Sequence, residues 1–203
     1  MAEPVVFPLE RQARLAVFAS GRGSNLSSLL RAFPPAGDEA LAAVRLVVSD
    51  RALAPALERA RDAGVAAQHV PFGKDREGFE ARADASLREH AIDLVCLAGF
   101  MRVLSPAFVE AWYGRVVNIH PSLLPAFRGL HPQRQALAAG VNESGCTVHF
   151  VDAGVDTGRA IVQRRVPVLA DDDEDTLSAR ILEQEHVAYP EAVRLVLRGE
   201  VTP

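Results

Sequence analysis

The sequence predicts an α/β fold: a mostly parallel open sheet with helices on both faces and an antiparallel C-terminal strand addition. Three observations carry this. Apolar runs alternate with segments of helical spacing from Leu15 to Ile119, the mark of right-handed βαβ units and a parallel sheet. Leu94-Val95-Cys96-Leu97-Ala98 is apolar throughout, as a central strand covered on both faces requires. The pattern then changes: Thr147 to Val151 and Ala160 to Gln163 lie too close for a helix between them and are expected to pair antiparallel. The arrangement is Rossmann-like.

The elements follow in order. Leu15 to Ala19 is a strand that ends in a glycine-rich turn, and Ser24 to Ala32 is a helix stopped by Pro34-Pro35. Val44 to Val48 is the second strand. Leu53 to Ala63 is helical and closes at Gly64, a natural cap. Ala66 to Val70 is a short third strand, and Asp75 to His90 has helical spacing through Phe79, Ala83 and Leu87. After the fourth strand, Ser105-Pro106 opens a helix with Ser as N-cap and Pro in the first turn. Val116 to Ile119 is the fifth strand. Asp172 to Arg198 is a long helical segment that Pro190 should kink or split.

The chain has 203 residues, which suits a single domain over residues 14–203 preceded by an extension, residues 1–13, expected to be partly disordered. Its net charge of −4 argues against a nucleic-acid-binding surface spread over the molecule. No apolar stretch reaches the roughly 18 residues that span a membrane. The two cysteines, Cys96 and Cys146, sit inside apolar runs and read as buried reduced thiols of a cytoplasmic protein.

The most informative stretch is Asn118-Ile119-His120-Pro121-Ser122-Leu123-Leu124-Pro125, where a strand empties into a proline-bounded loop. Residues two apart on a strand share a side. Asn118 and His120 therefore face one space at the carboxyl end of a strand, where open α/β sheets place ligands. An amide and an imidazole there suit a developing oxyanion and a moving proton. Asp156, in the glycine-containing loop between the two late strands, is the third candidate. A carboxylate beside an imidazole favours its protonated form, so a raised His120 pKa is expected. The same letters fit plainer roles, with His120 capping a turn through a carbonyl and Asp156 as an ordinary turn aspartate.

Gly21-Arg22-Gly23-Ser24-Asn25-Leu26 lies between the first strand and the first helix. Glycines allow a sharp turn and close approach, and the helix start offers free N–H groups to a phosphate. A dinucleotide fingerprint would need glycine or alanine at Leu26, which weakens a ribose-binding role for Asp50. A P-loop would need Gly-Lys-Ser/Thr. A phosphomonoester fits better; a plain βα turn with Ser24 or Asn25 as cap is the alternative. His149, in an apolar strand, reads as a core histidine, and His131 and His186 lie in or beside helices. Neither a zinc spacing nor a Gly-x-Ser-x-Gly elbow occurs. The run Asp171 to Asp175 suits the solvated start of the last helix.

Four motifs in order, Ser20 to Leu26, Leu97 to Ser105, Asn118 to Pro125 and Gly145 to Val151, closely resemble the phosphoribosylglycinamide formyltransferases, folate-dependent transformylases of purine (IMP) biosynthesis. The resemblance runs from about residue 14 to the end. It implies formyl transfer from 10-formyltetrahydrofolate, the co-substrate, to the amine of glycinamide ribonucleotide, with no metal. It implies Gly23, Ser24, Asn25 and Glu185 as contacts of that ribonucleotide. It implies Arg76, Met101, Arg102, Val103, Leu104 and Asn118, with Asp152, Ala153, Gly154, Val155 and Asp156, as folate contacts. Asn118, His120 and Asp156 match the catalytic trio. A cytoplasmic monomer or homodimer whose partners are small molecules, with neither nucleic acid nor membrane, is expected. Departures fall at Arg22, at Ala126-Phe127-Arg128, at Pro132-Gln133, and at Thr157 and Arg159. Two related activities, formyltetrahydrofolate deformylase and methionyl-tRNA formyltransferase, are expected to carry an extra N-terminal and an extra C-terminal domain respectively. A non-catalytic phosphosugar- or folate-binding protein is the reading from another class.

Overall fold

The computed structural model describes residues 6–37 and 40–203. The elements are β1 (Ala13–Phe18), α1 (Ser24–Ala32), β2 (Ala42–Ser49), α2 (Pro55–Asp62), β3 (Ala66–His69), α3 (Arg76–Glu89) and β4 (Leu94–Leu97). They continue as α4 (Pro106–Ala111), β5 (Val116–His120), α5 (Pro132–Ala138), β6 (Glu143–Phe150), β7 (Ala160–Pro167) and α6 (Glu174–Leu197). One sheet orders the strands β3-β2-β1-β4-β5-β6-β7. β1 to β5 run parallel, β6 pairs antiparallel with β5, and β7 antiparallel with β6. The antiparallel reading of the late strands is therefore borne out.

The chain moves outward from β1 in one direction through β2 and β3, then returns to place β4 and β5 on its other side. At that switch point the loops leaving β1 and β4 diverge and open a crevice at the strands' carboxyl ends. Strand alternation splits the core into two layers. Leu15 and Val17 pack with Leu26, Leu29, Leu57, Ile181 and Tyr189 on one face. Ala16 and Phe18 pack with Phe79, Ala83, Leu87, Phe108 and Trp112 on the other.

Caps set the helix starts. The Asp75 carboxylate accepts from the Gly78 amide at 2.8 Å to open α3. The Ser105 hydroxyl accepts from Phe108 N–H at 3.1 Å to open α4. Asp173 and Thr176 cap each other reciprocally at α6, where Glu174 and Asp175 fill the first turn as the acidic run suggested.

Three points narrow or extend the sequence reading. Pro190 lies inside α6, so of the two outcomes expected, a kink or a split, the split does not occur. Its neighbours Tyr189, Ala192 and Val193 are fully buried, so tertiary packing outweighs one missing helical bond. α5, with Pro132 at its first turn after His131, is a helix that the apolar spacing of a short segment did not reveal. β6 and β7 each span 8 residues and are longer than their apolar centres suggested. Of the N-terminal extension, residues 1–5 lie outside the described residues. Phe7 and Leu9 pack against the core, and Arg11 makes a two-pronged ion pair with Asp93 at 2.7 and 2.8 Å. Among the described residues no helix is long and apolar enough to cross a membrane.

Tyr189 ties α6 to the sheet. Its buried hydroxyl lies 2.8 Å from the Leu97 carbonyl and 3.1 Å from the Val117 carbonyl, sharing one proton between β4 and β5. Tyr189→Phe is expected to cost roughly 1–3 kcal/mol, because both carbonyls lose this donor in a dry core. Urea titration measures the cost; an unchanged midpoint would show the hydroxyl to be idle.

Candidate active site

β5 delivers Asn118 and His120 to one side of the sheet, as their spacing requires. Both line a cleft of about 440 Å³. Its other walls come from the loop after β4 (residues 99–104), the loop after β5 with the start of α5 (Pro121 and Gly129 to Gln133), and the β6–β7 loop (Asp152 and Gly154 to Asp156).

Asp156 reaches His120: its Oδ2 lies 3.3 Å from the ring Nδ1, and both side chains are nearly buried. The loop after β5 holds both groups. The Phe127 carbonyl lies 2.9 Å from His120 Nε2, and the Gly129 amide donates to Asp156 Oδ2 at 2.9 Å. Phe127, His131 and Asp156 all adopt left-handed φ values of 53° to 55°, a concentration of strained backbone beside the cleft.

The electrostatics correct one expectation. Burial pushes the His120 imidazole below its ordinary value, and the Phe127 carbonyl and Asp156 only partly oppose this. The raised pKa expected from Asp156 alone left out desolvation, which is invisible in a motif. Even so, both ring nitrogens face acceptors, so a second proton on the ring would meet a bond already aimed at it. For Asp156 itself burial opposes ionisation, but its polar neighbours, among them the Gly129 amide and His120, outweigh it and hold the carboxyl below its usual range.

The loop after β4 is pinned along its length. Met101 N–H donates to Ser20 Oγ at 2.9 Å. Arg102 Nε donates to Asp50 at 2.7 Å, with its guanidinium 5.0 Å from the Phe72 ring centre. The Ser105 amide and hydroxyl both donate to buried Glu80 at 2.6 Å. Asp50 is thus engaged by Arg102, which answers the question of a ribose-binding acid. Burial works against its charge, but the Ser20 hydroxyl and Arg102 keep its pKa low. Met101 and Val103 from this loop, with Leu130 and Val155 opposite, are each at least half exposed and give the cleft apolar lips.

The glycine-rich turn lies at the mouth of β1. Gly23 caps α1 at φ +76°, and a Cβ there would stand 3.0 Å from the Ala56 Cβ of α2, so only glycine fits without displacement. Arg59 of α2 donates to the Arg22 carbonyl at 2.8 Å and braces the turn. Asn25 Nδ2 donates to Glu185 Oε2 at 2.7 Å, which joins the turn to α6 across 160 residues of sequence. Asn25 Oδ1 is buried without a hydrogen-bond partner, an acceptor at the edge of the turn.

Glu185 is buried, and burial pushes its carboxyl up to about 7, with only the Asn25 amide acting against this. The folded protein then keeps a proton that the unfolded chain releases near 4.5. Stability falls as pH rises through the window from 4.5 to about 7, and the loss is complete above it. Glu185→Gln removes the charge and keeps the shape. The variant is expected to gain up to roughly 3 kcal/mol over the parent near pH 8 and nothing near pH 4. Denaturant curves at both pH values test this, and an equal gain at both would reject the buried-charge account.

Most of the residues singled out in the sequence meet in two adjoining places. Asn118, His120, Asp156, Met101, Arg102, Val103, Leu104, Asp152, Gly154 and Val155 line the cleft. Gly23, Ser24, Asn25 and Glu185 gather around the turn between β1 and α1. Arg76, exposed at the first turn of α3, and Ala153 are not among the cleft-lining residues. His149 goes the other way: read as a core histidine, it is buried but also lines the cleft. Its register opposite Asn118 depends on pairing two strands about thirty residues apart, which no local pattern in the letters encodes.

Residues 13–193 match the family model described as Formyl transferase. The chain is 51% identical over 193 residues to the trifunctional purine biosynthetic protein adenosine-3 of Drosophila melanogaster, covering 94% of this chain but 14% of that protein. It thus spans about one seventh of the length of that relative. It is 46% identical over 178 residues to phosphoribosylglycinamide formyltransferase of Escherichia coli (strain K12), covering 87% of this chain and 83% of that one. The solved structure of glycinamide ribonucleotide transformylase 1 from Symbiobacterium toebii superposes with a TM-score of 0.87 at 45% identity, over 98% of this chain and 94% of that one. A family match over nearly the whole chain, with a fold and sequence shared at this level, shows that the chain belongs to the formyl transferase family.

Proposed function

We propose that this protein transfers a formyl group from 10-formyltetrahydrofolate to the amine of glycinamide ribonucleotide, a step of purine biosynthesis in the cytoplasm. The observation that carries the reading is the adjacency of two sites at one switch point. The glycine-rich turn, Gly23 to Asn25, follows Ser20, which is hydrogen-bonded to Gly99 and Met101 in the wall of the cleft that holds Asn118, His120 and Asp156. Relatives with matching lengths bear the name of this activity.

Each part has a role. The turn and the start of α1 hold the 5′-phosphate. Asn25 Oδ1 and Glu185 offer acceptors to the sugar hydroxyls of the substrate. The apolar lips, with Leu104 and the segment from Asp152 to Asp156, hold the folate rings. Arg102 and Arg76 supply positive charge for the folate's carboxylates.

The amine attacks the formyl carbon, and the formyl oxygen becomes an oxyanion on a tetrahedral carbon. Asn118 N–H and His120 stabilise it. One proton must leave the attacking nitrogen, and one must reach folate N10 as the C–N10 bond breaks. His120, neutral at rest, gains its charge as the oxyanion forms, because a second negative group beside Asp156 raises its proton affinity. Neither a covalent enzyme intermediate nor a metal enters this sequence.

Incubation of the protein with both substrates, and with glycinamide ribonucleotide left out of a parallel reaction, tests the reading. Formyl transfer that needs the amine supports it. A formyltetrahydrofolate deformylase from Pseudomonas syringae shares the fold at 28% identity with a TM-score of 0.85. Loss of formylfolate without the amine would therefore move this chain to hydrolysis. Gly23→Ala is expected to raise the KM for the ribonucleotide at least tenfold and leave that for folate within about twofold, since the added Cβ strains the left-handed turn and meets Ala56 of α2, which is not among the cleft-lining residues. The opposite pattern would reject the phosphate assignment.

A further inference from the structure

We propose that His149 is a positioning residue that fixes which end of the Asn118 amide faces the reacting oxygen. The inference rests on the reading of Asn118 as an oxyanion donor, and it adds the group that makes it one.

An asparagine side chain is nearly symmetric in shape, and it can present either an N–H or a carbonyl oxygen to the cleft. Only the first stabilises an oxyanion; the second repels it. Something must therefore break the symmetry. His149 lies directly opposite Asn118 in the β5–β6 ladder and is buried beside the cleft. Its Nδ1 lies 2.7 Å from the Phe150 carbonyl oxygen. Two lone pairs would repel at that distance, so the proton is on Nδ1 and the neutral ring carries its lone pair on Nε2. Nε2 lies 3.2 Å from Asn118 Nδ2. A lone pair accepts only from the NH2 end of the amide. That end is therefore turned toward His149, and its second N–H is left for the cleft that Asn118 lines.

The Phe150 carbonyl that sets the tautomer is itself held in place. The chain at Gly158 passes so close that an added Cβ would overlap this oxygen, and the Phe150 amide donates to the Arg159 carbonyl at 2.9 Å. Asp156 Oδ1 lies 3.6 Å from Nε2, farther than Asn118. A proton on Nε2 would turn the ring toward that carboxylate and remove the acceptor from Asn118. The order of command thus runs from a backbone carbonyl, through one imidazole, to the amide.

Long-range ¹H–¹⁵N correlation spectra of the ¹⁵N-histidine-labelled full chain, with His149→Gln used for assignment, read the tautomer without any substrate. A protonated Nδ1 and a bare Nε2 near neutral pH are expected; a proton on Nε2 overturns the proposal. Steady-state kinetics give the second readout. His149→Leu, which removes the acceptor, is expected to lower kcat by roughly ten- to a hundredfold with both KM values within about threefold. His149→Gln, whose side-chain oxygen can take the same N–H, is expected to recover part of that loss. Adding Asn118→Ala to His149→Leu should then cost far less than adding it to the parent, because the amide is already misdirected. Fully multiplicative losses, or an equal loss in the Gln and Leu variants, reject the assignment. Parent turnover with both substrates separately tests the formyl-transfer reading, so a failure there leaves the spectroscopic result standing.

Discussion

His120→Ala is expected to lower kcat by roughly 10²–10³ or more, with the fold retained. The estimate follows from losing a preorganised donor to the oxyanion, and losing the proton carrier with it. The imidazole is buried and is held by polar contacts to Phe127 and Asp156. Removing it should therefore affect turnover more than folding. Rapid-quench measurement of formyl transfer with bound substrates isolates the chemical step. A chemical step within a few-fold of the parent's would remove His120 from the mechanism, whatever happens to KM.

Asp156→Asn carries the second large effect, and its sign can be worked out. Burial lowers the His120 pKa, and the Asp156 charge pushes it back up. A neutral amide in place of the carboxylate leaves burial less opposed, so His120 must titrate at lower pH still in the variant. The imidazolium formed during the reaction then becomes harder to make, and each unit of lost pKa is worth up to tenfold in rate. The acid limb of the rate profile, where the resting imidazole takes up its proton too early, should move to lower pH together with the His120 resonance in an NMR titration. If the resonance moves and the profile stays, the charge on His120 is not used in the rate-limiting step. If neither moves, the pair is not electrostatically coupled.

The legible part of this molecule was the part written in local patterns. β4 could be placed because five apolar residues in a row have few other uses, and the turn before α1 because Gly-x-Gly-Ser-Asn marks a tight backbone. Asn118 and His120 were assigned to a common side from strand alternation alone, and both line the cleft. Three features were not legible, each for a physical reason. The depression of the His120 pKa depends on how much protein surrounds it, a property of the whole fold. The survival of α6 through Pro190 depends on packing against the sheet, which outweighs a strong local preference. The position of His149 depends on the register of an antiparallel pair joined by a long excursion through α5. Short-range chemistry can be read from letters, whereas depth and register emerge only when distant segments meet.

The contact between His120 and the Phe127 carbonyl bears on substrate discrimination. Before substrate arrives, this carbonyl already occupies the imidazole's Nε2. An incoming oxygen must take its place. An uncharged formyl oxygen accepts about as well as an amide carbonyl, so the exchange gains almost nothing while the formyl group is intact. Once that oxygen carries negative charge it is the better acceptor by a wide margin. In the formyl transfer proposed above, the resident carbonyl would therefore act as a threshold: it would withhold the imidazole from the reactant and yield it to the activated complex. Binding strength would then be kept out of the Michaelis constant and released into turnover. A single main-chain oxygen, held out by a residue in the left-handed region, would make the site selective for a moment in the reaction rather than for a molecule.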